Sequence, residues 1–231
     1  VYECATKAIM AKKGFVFKTE FQNLEEKEQY QNDYETSYKE SRRSLYTAGY
    51  RIYTSIDLSM EEKLQTFVDE SLSSFDEKST QGIFQLQGAA VCIDNQSGYV
   101  KAIVGGRNQN LEGYTLNRAY QSFRQPGSSI KPLVVYTPIL ERGYTPDSQV
   151  VDEAVEGGPV QKSYKGAISL REAVEFSKNT VAWKLFGDLT PEVGLSYLEK
   201  MHFSRLDKED YRLPTALGGM THGVSPLEMA A

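Results

Sequence analysis

The chain has 231 residues, 40% of them apolar, with 26 Lys+Arg against 31 Asp+Glu for a formal net charge of −5. That length buries a sizeable core, and the balance of apolar and charged residues is globular rather than disordered. An acidic chain without a Lys/Arg run is a poor candidate for nucleic acid, and no stretch approaches the ~18 apolar residues that span a bilayer. The opening residues, VYECATKAIMAKKG, lack the apolar block of a signal peptide, and a start on Val without Met is expected of a piece of something longer.

In chain order, residues 20–43 are charged and amide-rich with no Gly or Pro. Tyr30, Tyr34 and Tyr38 recur every fourth residue and share one helix face. Such a stripe either rests on a neighbouring domain or lines a binding groove, and the segment reads as a connector. Residues 50–56, rich in β-branched and aromatic side chains, predict a strand. Ser59 with Glu62 predicts a capping box, opening a helix that carries Leu64, Phe67, Val68, Leu72 and Phe75. Residues 89–93 and 99–104 are apolar β runs separated by Asp94-Asn95-Gln96-Ser97-Gly98, an antiparallel hairpin pattern. A long helix is expected from Ser128 to about Arg142, stopped by Gly143. Ser169 with Glu172 predicts another capping box, and Thr190-Pro191 a third helix start, with threonine as cap and proline at the first helical position. The mixture predicts an α+β domain built around an antiparallel sheet with flanking helices.

Cys4 and Cys92 lie far apart, with only His202 and His222 as further soft ligands, too few and too scattered for a zinc site. Cys92, within an apolar run, is expected to be an inert buried thiol.

The chemistry-bearing segment is Arg124-Gln125-Pro126-Gly127-Ser128-Ser129-Ile130-Lys131-Pro132. Ser128 and Lys131 stand one helical turn apart on one face, and Pro132 is tolerated only near a helix start. The Ser128 hydroxyl is then placed at the positive end of the helix, where free N–H groups stabilise an oxyanion. Burial and the same positive potential lower the Lys131 pKa, so that a neutral amine can take the serine proton. Spacing alone is weak: about one S-x-x-K arises by chance in a chain of this size, and Ser128 could merely cap a helix while Lys131 points to water. Forty-nine residues on comes Ser177-Lys178-Asn179, an S-x-N tripeptide. Serine, lysine and a later S-x-N are the first two parts of the signature of penicillin-recognising acyl-serine enzymes, with K-T-G as the third. Ser177 and Asn179 also suit helix-end capping, and Lys178 between them reads as solvated.

On these residues the chain resembles the transpeptidase part of class A (bifunctional) penicillin-binding proteins. The likeness extends to residues 49–57, 89–106, 117–132, 169–179, 216–219 and 223–231, in the family's order. It implies that residues 1–48 are the linker after an absent glycosyltransferase domain, and residues 49–231 the N-terminal part of the transpeptidase domain. It also implies that Ser128 attacks the penultimate D-alanine carbonyl of a peptidoglycan stem peptide, with Lys131 as proton acceptor and Ser177 as relay toward the leaving amine. Asn179 would hydrogen-bond the substrate amide, with Gly127 and Ser129 beside it, and a neighbouring stem amine would close the cross-link. β-Lactams would be trapped on Ser128; no cofactor or metal is needed. The location implied is the extracytoplasmic face of the bacterial cell membrane, with the membrane anchor elsewhere in the full-length protein. No Lys-Thr-Gly or Lys-Ser-Gly occurs in the 231 residues, so a fragment is expected, inactive alone, with that motif on a missing segment or second chain. The rival readings are a D,D-carboxypeptidase or β-lactamase-like hydrolase, in which water deacylates, and a non-catalytic envelope module that keeps the fold.

Overall fold

The structure is a computed structural model describing residues 1–18, 21–108 and 115–231. The chain divides into two units, Val1–Ser55 and Ile56–Ala231.

In the first unit, α1 (Tyr2–Lys12) packs on α2 (Leu24–Thr47). Asn23 caps α2 by accepting the Glu26 N–H, while Glu26 reaches back to the Gln22 N–H at 2.7 Å. Phenylalanines of the same unit lie against the tyrosine stripe. Phe21 lies 5.1 Å from Tyr30, and Phe15 lies 5.6 Å from Tyr30 and 5.8 Å from Tyr34. The short connection between the helices delivers these rings, so the stripe finds its apolar partner locally.

In the second unit, α3 (Leu58–Ser71) is capped by Asp57, whose carboxylate accepts the Met60 N–H, two residues before the expected Ser59. An aspartate in extended backbone before the first turn outcompetes a serine already inside it. Residues 50–56 form no regular strand despite their composition; β propensity without a partner ladder does not make one. β1 (Ala90–Ile93) and β2 (Val100–Val104) form the expected hairpin, its turn closed by Ser97 and the Gln96 N–H on the Asp94 carboxylate. Ala102 and Val104 point inward on alternate positions, and α3 lies across β2. α4 (Arg118–Gln121) follows.

The expected long helix is a continuous helical run of three kinds: a 3-10 turn at Gly127–Ile130, a π segment at Pro132–Tyr136 and α5 (Thr137–Glu141). Pro132 and Pro138 remove donors from the regular ladder. Widening by one residue lets the Thr137 N–H satisfy the Pro132 carbonyl. Gly143, at φ +95°, lies just past its end, as its position predicts.

A second two-stranded sheet, β3 (Gln149–Asp152) with β4 (Gly166–Ser169), leads into α6 (Leu170–Glu175), capped by Ser169. Among the described residues the strands thus form two separate antiparallel pairs rather than one sheet. α7 (Asn179–Leu189) and α8 (Pro191–Lys200) follow; Pro191 opens α8, but the Thr190 side chain does not cap it. α9 (Pro226–Ala230) starts with a complete capping box between Ser225 and Glu228. The main core surrounds the helical run: Ile130, Val134 and Val135 pack with Phe186 and Leu189 of α7 and Leu195 and Leu198 of α8.

Candidate active site

Ile130, wholly buried, anchors the 3-10 turn and leaves Ser128 exposed on its outer side. The Ser128 hydroxyl has no hydrogen bond to a described side chain or backbone group, and the Ser128 carbonyl accepts the Lys131 N–H. Ser129 is exposed as well, but its hydroxyl is committed to the Pro126 carbonyl at 2.7 Å. Gly127 sits at φ +57°.

Lys131, by contrast, is buried, with 1% of its surface exposed. Its ammonium donates to the Ser177 carbonyl at 2.8 Å, the Ser177 hydroxyl at 3.0 Å and Asn179 Oδ1 at 2.6 Å. No carboxylate faces it, and burial lowers its pKa to about 8. The lysine is therefore brought to the S-x-N tripeptide, 46 and 48 residues away, rather than hydrogen-bonded to Ser128.

The tripeptide owes its shape to the end of α6. The Ser177 N–H bonds the Val174 carbonyl and the Lys178 N–H the Ala173 carbonyl, the two bonds of a Schellman motif with Ser177 in the place usual for glycine. Ser177 accordingly has φ +47°, a left-handed conformation strained for a side chain with Cβ. Its hydroxyl and carbonyl thereby converge on one ammonium. Asn179 opens α7, so the same three residues end one helix and begin the next. Lys178, expected in water, is instead buried and paired with Asp152 at 2.6 Å, because the αL turn directs it inward. Burial pushes the Asp152 carboxyl up, but hydrogen bonds from Lys178, Thr180 and the Lys165 N–H, with the Lys178 charge, outweigh it and hold it at about 2.

The turn that carries Ser128 is held from behind by residues 216–225. Arg124 and Val224 exchange backbone hydrogen bonds at 3.0 and 2.8 Å, and Gln125 Nε2 donates to the Met220 carbonyl. Gly218, at φ +86°, lies so close to Gly127 that a Cβ there would fall 2.5 Å from the Gly127 Cα. Asp210, fully buried, ties this stretch down through the Thr221 N–H and hydroxyl at 2.7 and 2.8 Å. Residue chemistry alone did not single out Gly218, Asp210 or Asp152; the Gly218-Gly219 pair was the one local signal of a tight approach. A cleft of about 610 Å³ adjoins the turn, lined by Arg118, Arg124, Ser129 and Met229 among others, but not by Ser128 or Lys131. Among the described residues no group of three or more His, Cys, Asp or Glu could hold a metal ion. Cys92 is a free thiol, half-buried in β1.

Ser128 with Lys131, and Ser177 with Asn179 bonded to that lysine, carry the first two of the three motifs of acyl-serine transfer enzymes. Residues 88–230 match the penicillin binding protein transpeptidase domain, and the chain belongs to that family. It is 35% identical over 192 residues to penicillin-binding protein 4 of Bacillus subtilis (strain 168), covering 80% of this chain and 29% of that protein. Against penicillin-binding protein 1F of the same organism the identity is 34% over 202 residues, 85% of this chain and 27% of the other. The chain thus spans less than a third of these relatives. Its fold is similar to that of the PonA1 protein of Mycobacterium tuberculosis in complex with penicillin V, with a TM-score of 0.60 at 24% identity over 77% of this chain and 49% of that one. No helix among the described residues is long and apolar enough to cross a membrane.

Proposed function

We propose that this chain is the nucleophile-bearing part of a peptidoglycan D,D-transpeptidase of the class A kind, with residues 1–48 as the linker from a glycosyltransferase domain. The reading is carried by Lys131: a buried amine with no counter-charge, held by Ser177 and Asn179, three residues from an exposed Ser128. In its neutral form Lys131 takes the Ser128 proton as Oγ adds to the carbonyl of the penultimate D-alanine of a stem peptide. The C–N bond to the terminal D-alanine then breaks, and that amine leaves with a proton relayed through Ser177. An amine of a neighbouring stem attacks the resulting ester, restores the Ser128 hydroxyl and closes the cross-link. Asn179 has its Oδ1 bonded to Lys131, which leaves its amide N–H groups to donate to the substrate backbone. Gly127 and Ser129 flank the scissile bond, Ser129 through its place at the cleft because its hydroxyl is already used. The proposal assigns the Lys-Thr-Gly or Lys-Ser-Gly element to residues outside these 231, and the work to the outer face of the bacterial cell membrane.

Penicillin V is bound by the Mycobacterium tuberculosis relative, and a β-lactam is the natural probe here. Fluorescent penicillin should label the polypeptide that carries this chain covalently, and Ser128→Ala should abolish the label. Labelling that survives the substitution removes Ser128 as nucleophile. A label lost within seconds, rather than retained, would replace transpeptidation with hydrolysis.

A further inference from the structure

Around the S-x-N tripeptide the side chains alternate between two anchors. Ser177 and Asn179 face the Lys131 ammonium. Lys178 and Thr180 face a single carboxylate, Asp152, at 2.6 and 2.5 Å. Asp152 is fully buried at the end of β3, paired in register with Gly166 of β4. Its remaining acceptor sites take Gln161 Nε2 at 3.2 Å and the Lys165 N–H at 3.0 Å. The carboxylate is thus fixed from β3, from the β3–β4 connection and from both residues that flank Asn179. Four donors saturate it, so it has no freedom to follow the tripeptide if the tripeptide moves.

We propose that Lys178 and Asp152 are a positioning pair that holds Ser177 and Asn179 in register with Lys131; the catalytic side of this rests on the roles given above to Ser177 and Asn179. Neither residue touches the reacting atoms. Ser177 occupies a left-handed conformation that a side chain with Cβ leaves readily unless the surroundings over-determine it. The residue directly after it is a buried ammonium that must stay on its counter-ion, because burying it unpaired is worse than any local rearrangement. Keeping Lys178 on Asp152 therefore forbids the relaxed backbone at Ser177, and only the strained one directs both the Ser177 carbonyl and hydroxyl at Lys131. A solvated residue in the middle position would leave the turn free to relax.

Two readouts separate this from a merely structural ion pair and from failure of the functional reading. The first needs no activity: the carbon-13 shifts of Ser177 in the full chain report its left-handed backbone. Lys178→Met should erase that signature, and Lys178→Arg, which keeps the charge, should retain it. Because Lys178→Met leaves Asp152 buried alone and could fail to fold, the double substitution Lys178→Met with Asp152→Asn removes both charges and should also erase it. A Ser177 signature unchanged in the folded variants overturns the proposal. The second readout is penicillin acylation of the polypeptide that carries this chain, resolved into saturating rate and half-saturating concentration. The saturating rate should fall at least about tenfold in the double variant and stay within about threefold in Lys178→Arg. A rate within about twofold of the unaltered protein, with the signature lost, would also overturn it. An unaltered protein that takes no penicillin at Ser128 refutes the functional reading instead, and the Ser177 shifts still decide whether the pair holds the turn.

Discussion

At the scale of residues, two buried lysines of one site are set to opposite tasks by whether a carboxylate faces them. Lys178 has Asp152; Lys131 has only neutral oxygens, and its pKa is lowered to about 8. If the neutral amine is the base, about a tenth of Lys131 is competent at pH 7, and the competent fraction grows about tenfold per pH unit until it levels above about pH 8. The rate of penicillin acylation should follow that curve in a pH–rate profile. A profile still climbing near about pH 10, where an ordinary lysine titrates, would contradict it. Asp152 gives the opposite limb. Its folded pKa of about 2 lies below the ordinary 3.8, so the unfolded chain takes the proton first. The stability it contributes, about 2 kcal/mol, is complete above about pH 4 and is lost as pH falls toward about 2. Urea midpoints measured across that window should show this limb and should lose it when Asp152→Asn is combined with Lys178→Met. Chemistry of this kind was half legible: the motif named Ser128, Lys131, Ser177 and Asn179, whereas Asp152 lies 26 residues from Lys178 in an unremarkable β run and no local pattern pairs them.

At the scale of elements, what the sequence spelled out were short-range devices. The Asp94–Gly98 turn, the Gly143 stop and the Ser169 cap each depend on atoms within about five residues, and each forms as its residues suggest. The strand at residues 50–56 does not form because a strand needs a second strand, which no local propensity supplies. The helical run after Ser128 was foreseen in extent but not in kind; its 3-10 and π turns answer to two prolines and to packing against α7 and α8. The clamp on the turn that carries Ser128 belongs to this scale. A Cβ at Gly218 would lie 2.3 Å from the Gly127 nitrogen at a φ of +86°. Gly218→Ala should therefore lose about 2 kcal/mol or more, lowering the thermal midpoint by about 4–8 °C. It should also slow penicillin acylation by at least about tenfold if Ser128 is the nucleophile, because the shift falls on the backbone that carries Ser128. Unchanged acylation in a folded Gly218→Ala protein would show that the clamp does not set the turn.

At the scale of the whole molecule, the two units are joined through exposed chain: Arg51 is exposed and Tyr53 is 87% exposed, with no helix or strand over residues 50–56. Brief trypsin treatment should cut after Arg51 early and leave residues 52–231 as a persistent fragment. Lys162, though exposed, is spared because Gln161 and Lys165 pin its loop to Asp152. Early loss of the 52–231 fragment to internal cuts would contradict the division into units. By itself the sequence named candidates for acyl-transfer chemistry, and determined where several helices begin or end and that one hairpin precedes Ser128. These follow from neighbours in the chain. Only the tertiary structure decided that the tyrosine stripe is covered by Phe15 and Phe21, that Lys131 bonds the S-x-N residues rather than Ser128, and that Lys178 is buried on Asp152. The reason is physical: a side chain's burial and its charge partner depend on groups brought together by folding, and the pairs here lie from 9 residues apart, Phe21 and Tyr30, to 48, Lys131 and Asn179.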